Sequence, residues 1–123
     1  MMMAERRLIR EQEVDVIRAT LERACVQPLD DSVLHSLPKL IVVSRCDCGC
    51  ASIDFEATPS DERSQPVADG TGTTQRGGQV GVIIWGRKDA VTGLEVYDLG
   101  AGGDDLTLPV PESIKSWETS QSG

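Results

Sequence analysis

Apolar positions along the chain recur first at helical and then at strand spacing. Between Arg10 and about Val26, the residues Val14, Ile17 and Leu21, followed by Ala24 and Cys25, return every three or four positions, which predicts a helix with one buried stripe. Ile9 and Val14 stand at the positions of a hydrophobic staple, and Glu13 is placed to reach back to the start of the helix. Glu11 and Glu13 complement the positive end of its dipole. Pro28 cannot continue a helix, so the element is expected to stop at or before Gln27, with Cys25 on or beside the buried stripe. Asp30 to Leu37 predicts one short helical turn, with Val33, Leu34 and Leu37 inward and Pro38 ending it.

Strand spacing takes over at Leu40. The stretch Leu40 to Glu56, LIVVSRCDCGCASIDFE, places two β-rich runs around a short polar break and predicts a hairpin with Asp47, Cys48 and Gly49 as its loop. In that register Cys46 faces Cys50, Arg45 faces Ala51, Val43 faces Ile53 and Ile41 faces Phe55. Ile41, Val43, Ile53 and Phe55 then form the face under the helix, while Cys46 and Cys50 turn the other way with Ser44, Ser52, Asp54 and Glu56. Thr58 to Gly78 is polar and punctuated by Pro59 and Pro66; it is expected to be a mobile loop, unless it hides a short strand around Val67. Its glycines match neither phosphate-loop pattern, since a third glycine is missing at Gln75 and Gly78-Gln79 stands where Lys and Ser or Thr are needed.

A second hairpin is predicted from Gln79 to Trp85 and Val91 to Tyr97. The first run is apolar on both faces, as suits a central strand; the second turns Leu94 and Val96 inward and Glu95 and Tyr97 outward. Trp85 and Tyr97 are thereby expected together on the face away from the helix, near Cys46 and Cys50, either as a contact patch or partly covered by the C-terminal tail. The remainder reads as an extended arm through Pro109 and Pro111, anchored by Ile114 and Trp117. The resulting expectation is an α+β fold: a four-stranded, mainly antiparallel sheet of two hairpins with the N-terminal helix packed on one face against Ile41, Val43, Ile53, Phe55 and Leu94. Residues 1–9 are expected to be flexible, 10–117 to form one domain, and 118–123 to be disordered.

Composition narrows the function classes. The chain has 123 residues, enough for one core, and its 20 acidic against 12 basic side chains give a net charge of −8. That balance argues against general nucleic-acid binding and against an anionic membrane; it favours solubility and is able to steer a basic protein partner, but charge alone names none. Charge interrupts the N-terminal apolar residues before they form a signal-peptide core, and no later run approaches the length of a membrane-spanning helix, so a soluble, cytoplasmic protein is expected.

The chemistry that remains open lies in the cysteines. Cys46, Cys48 and Cys50 are soft ligands suited to zinc or copper(I), with Cys25 as a distant fourth, but the second cysteine pair of a usual structural zinc site is missing. A redox role needs a lowered thiolate pKa, which Arg45 favours and Asp47 and Asp54 oppose. Small residues of a hairpin without chemistry are the plain alternative; in an oxidising compartment Cys46 and Cys50 are the natural disulfide pair. His35, the only histidine, has no visible partner set, and a single histidine excludes the paired-histidine metalloprotease motif. No catalytic residues and no cofactor are therefore assigned. The pattern Cys46-x-Cys48-Gly49-Cys50-x-Ser52-Ile53-x-Phe55, then Gly93-Leu94-Glu95-Val96-Tyr97, then Leu108-Pro109, resembles a family of small uncharacterised bacterial proteins over about Arg7 to Trp117. That family often has proline where this chain has Ala51. The resemblance implies a compact α+β fold and transfers no catalytic residue. The functional expectation is a non-enzymatic, acidic protein-binding module, in one form an inhibitor or immunity-like protein for a basic partner, using Trp85 and Tyr97; the alternative is a thiolate metal or redox site at Cys46, Cys48 and Cys50.

Overall fold

The computed structural model describes residues 2–46, 50–99 and 107–117. Its most continuously apolar strand, β5 (Gln79–Arg87), lies inside the sheet between β6 (Ala90–Asp98) and β4 (Gln65–Thr73). Val80, Val82 and Ile84 are fully buried on one side of it, where the helices lie. The sheet is seven-stranded: β1 (Met2–Leu8), β2 (Ile41–Cys46), β3 (Ile53–Phe55), β6, β5, β4 and β7 (Lys115–Ser116) follow one another across it. Every pairing is antiparallel. α1 (Glu11–Arg23) and α2 (Asp31–Ser36) complete the fold, with short 3-10 turns at Leu37–Lys39 and Pro111–Ser113.

This corrects the expected four-stranded sheet under one N-terminal helix. The added strands have identifiable physical causes. β1 occupies the stretch expected to be flexible, and its charged residues Glu5 and Arg7 obscured it although both are half-buried and paired in the fold. β4 is nine residues long and runs through the stretch read as a loop with, at most, a short strand around Val67. Its signal was hidden because its helix-side positions are Ala68, Gly70 and Gly72, small residues that score poorly as strand formers.

Those glycines are where other parts of the chain come closest. A β-carbon on Gly70 would stand 2.7 Å from the Lys115 carbonyl oxygen and 3.1 Å from the Ala24 β-carbon. One on Gly72 would stand 2.7 Å from the Pro109 ring. The C-terminal arm is fastened there by further bonds: the Thr73 N–H donates to Ser113 Oγ at 2.8 Å, and Arg23 of α1 donates to the Pro111 carbonyl at 2.8 Å.

α1 starts as its sequence predicts. Ile9 and Val14 are both buried, and Glu13 accepts a 2.8 Å bond from the Arg10 N–H. It ends earlier than expected, at Arg23, because the following residues pair with β4: Cys25 bridges to Ala68, and the N–H groups of Val26 and Gln27 donate to the Val67 carbonyl. Cys25 is consequently exposed rather than part of the buried stripe. Leu34 is also exposed, whereas Val33 and Leu37 are buried.

The cysteine hairpin has a different register from the expected one. Phe55 pairs with Val42, Asp54 with Ser44 and Ile53 with Arg45, with an irregularity between Val42 and Ser44. The N–H of Cys46 donates to Ser52 rather than facing Cys50. Val42, fully buried, therefore joins Ile53, Phe55 and Leu94 in the core, while Ile41 and Val43 are only half-buried and lie outside it. The bulge around Val43 exchanges the faces of Ile41 to Val43, while Ser44 and Arg45 stay on the sides expected for them opposite Asp54 and Ile53. The predicted loop residues Asp47, Cys48 and Gly49, and the tail at 118–123, fall outside the described residues.

Replacing Gly70 with valine is expected to cost roughly 1–3 kcal/mol, because the new side chain meets backbone rather than a movable side-chain end. Urea unfolding of the two proteins measures it; equal midpoints would contradict the close approach.

Candidate functional site

Two surfaces carry concentrated polar chemistry. The first is an open cleft of about 950 Å³ on the helix side, bordered by β1, the start of α1, Arg45 of β2, Cys50 and the C-terminal arm. Its wall is an ion network. Arg7 gives two 2.8 Å bonds to the Glu13 carboxylate and a 3.1 Å bond to Glu5, and Glu5 in turn meets Arg45 at 3.3 Å. Arg7 retains only 21% of its side-chain exposure and Glu13 6%, so the fork-to-fork pair is largely withdrawn from water. Burial alone would push the Glu13 carboxyl up, but the Arg7 guanidinium and the Arg10 N–H outweigh it and hold the group below its ordinary value. The same bonds raise Arg7. Arg7, Glu13, Glu5 and Arg45 are matched to one another, which marks this part of the wall as a brace between β1, β2 and α1.

The second surface is the opposite, outer face of β4, β5 and β6. Since Val80, Val82 and Ile84 point into the core, Gly81, Ile83 and Trp85 point outward. On β6 the outward partners are Gly93, Glu95 and Tyr97, and on β4 Asp69 stands beside Ile83. Trp117, just beyond β7, reaches the same face and donates its indole N–H to Asp69 at 2.8 Å. The chain's aromatic residues are two tryptophans, one tyrosine and one phenylalanine. Only Phe55 is in the core; Trp85, Tyr97 and Trp117 all stand half-buried on this outer face.

Local geometry holds each ring. Tyr97 lies flat over Gly81 opposite it, where any β-carbon would collide with the ring. Burial, and next the negative charge of Asp69, raise the Tyr97 phenol above its ordinary value. The Trp85 indole N–H donates to Glu95 at 3.3 Å. Asp54 on β3 accepts from Ser44 at 3.0 Å and stands across Gly93 from Trp85. The face thus sets apolar rings among the carboxylates of Asp54, Asp69 and Glu95.

The sequence-predicted residues divide accordingly. Trp85 and Tyr97 share the face away from the helices, as their alternation implied, but their rungs, Trp85–Gly93 and Gly81–Tyr97, lie four residues apart along the ladder, about 13 Å. Their neighbours are Asp54, Asp69 and Glu95 rather than the cysteines, since Cys50 borders the helix-side cleft. Cys46 and Cys50 are both half-buried, and Cys48 is outside the described residues. Among the described residues no group of three or more His, Cys, Asp or Glu side chains is arranged to hold a metal ion, and no helix is long and apolar enough to cross a membrane. His35 is exposed on α2. Trp117 and Asp69 were missed as site residues. Sequence reasoning gives the first only an anchoring role and puts the second in a loop; the alternation of Asp69, Thr71 and Thr73 with Ala68, Gly70 and Gly72 was the available signal.

Glu13→Gln is expected to destabilise the protein by about 3 kcal/mol near pH 7, because it strips Arg7 of its charged partner. The folded-state pKa of Glu13 is depressed, so its contribution is complete above the unfolded value of about 4.3 and disappears as the pH falls through the lower folded value. The gap between wild type and variant should narrow below that pH in denaturant titrations; a constant gap would contradict the ion pair. The single tyrosine permits a second measurement: absorbance titration should place Tyr97 above the usual value of about 10, and Asp69→Asn should bring it down. No family model matches the chain, and neither the curated proteins nor the solved structures contain a match to it.

Proposed function

We propose that this chain is a non-enzymatic protein-binding module whose partner is basic and docks on the outer face of β4, β5 and β6. The observation that carries the reading is the placement of Trp85, Tyr97 and Trp117 on a sheet face opposite the one that α1 and α2 bury. Tryptophan and tyrosine bring large, stiff apolar areas with a polar handle, which is the composition of binding hot spots. Asp54, Asp69 and Glu95 surround the rings, and the net charge of −8 extends the same sign over the molecule. Such a field draws a basic partner and rejects phosphate-rich ligands. Rings seated over Gly81 or tied to Asp69 and Glu95 lose little further freedom on binding, which favours affinity. An inhibitor or immunity-like role, in which the acidic face masks a basic protein, is one form of this reading.

The test compares immobilised wild type with a Trp85→Ser, Tyr97→Ser double variant, checked for native circular dichroism, in a native bacterial lysate at rising salt. A basic protein should be retained by the wild type, elute as salt increases, and be lost from the variant. Identical retention by both, or nothing above background at any salt, would contradict the proposal.

A further inference from the structure

The outer face contains one notch whose shape and charge are more specific than the surface around it. In a single row across the sheet, Trp85 on β5, Gly93 on β6 and Asp54 on β3 stand side by side. Neighbouring strands are about 4.8 Å apart, so the indole and the carboxylate rise from backbones separated by roughly 10 Å with a glycine between them. A β-carbon on Gly93 would lie 3.1 Å from Asp54 Oδ1 and 3.6 Å from the Trp85 β-carbon, so the glycine is what lets the carboxylate and the indole stand close together in this row. A depression of about 410 Å³ lies along this row, with Asp54, Trp85 and Glu95 on its border beside Ser52, Ser64 and Thr92, and with Ile53 and Leu94 also lining it. Its rim is braced: Ser44 donates to one Asp54 oxygen at 3.0 Å, and Thr92 donates to Ser64 at 2.7 Å.

We infer that this notch receives the guanidinium of an arginine side chain presented by the partner. The slot has an aromatic wall on one side and a carboxylate on the other, with a second carboxylate, Glu95, held beside the indole by its N–H. A planar cation lying against an indole face while its edge donates to a carboxylate satisfies both walls at once. Lysine satisfies the charge but not the flat contact, so arginine is the better occupant. This inference rests on the proposed docking face and adds to it the chemical identity of one contact.

The probe is the blocked tripeptide acetyl-Gly-Arg-Gly-amide, titrated into the full ¹⁵N-labelled chain, with the neutral citrulline tripeptide and the lysine tripeptide as controls. The arginine peptide should shift the Gly93 amide and the Trp85 indole signal saturably, the lysine peptide more weakly, and the citrulline peptide not at all. Trp117→Phe identifies the remaining indole signal as that of Trp85. Asp54→Asn, which keeps the shape and retains an oxygen for Ser44, should weaken the arginine response about tenfold, in line with the loss of a charge-assisted pair. Equal shifts from citrulline, shifts confined to Trp117, or an unchanged response in Asp54→Asn would each overturn the inference. The two proposals fail separately. Loss of partner capture in the aromatic double variant with no arginine response at Gly93 leaves the docking face and removes the notch; an arginine response with capture indifferent to Trp85 and Tyr97 does the reverse.

Discussion

One layer of helix can bury only one face of a sheet. In this chain α1, α2 and the Leu37 turn supply that layer, and their apolar residues form a single core with Val82, Ile84, Leu94 and Ile114. The strand period of two then sends every alternate residue of β4, β5 and β6 to the far side. Ordinarily that far side is polar. Here it holds all the aromatic residues except Phe55, fastened in place by glycine and carboxylate neighbours, and this departure is the basis of the functional reading.

The helix side explains why the sheet is wide despite the small core. β1 adds its strand to the edge of β2 and turns Glu5 and Arg7 toward α1, where the Arg7–Glu13 pair supplies what an apolar contact would supply elsewhere. At the other edge, Gly70 and Gly72 let the end of α1 and the Pro109 arm approach the backbone of β4. Both edges are therefore closed by chemistry other than bulky apolar packing, and the interior of the sheet alone relies on branched aliphatic residues.

That difference determines what was legible in the sequence. β5 and β6 were readable because valine, isoleucine and leucine alternate there with the strand period, and the helix was readable because Val14, Ile17 and Leu21 mark one stripe. β1 was not, since an ion network appears in a sequence only as charge. β4 was readable only as a short strand around Val67, since glycine reads as a turn whether it bends the chain or admits a neighbour. In the cysteine hairpin two paired strands were anticipated, but the second is only Ile53–Phe55 and the register differs, because the bulge near Val43 leaves no compositional mark and moves Val42 inward in place of Val43. For the candidate site, the shared face of Trp85 and Tyr97 followed from alternation. Asp54, Gly93 and Trp85 became neighbours only through the pairing of β3 with β6, a contact between residues nearly forty positions apart that no local pattern encodes.

The central claim is that β5 has one sealed face and one open face. Ile83 and Ile84 are adjacent on that strand and point to opposite sides, Ile84 fully buried and Ile83 half-buried between Asp69 and Glu95. Relaxation of their methyl signals by a soluble paramagnetic agent, measured on the free protein, compares the two faces directly. The Ile83 methyls should broaden together with the ring signals of Trp85 and Trp117 while those of Ile84 remain sharp; equal protection of both isoleucines would mean that the outer face is already covered, and the docking surface would not exist.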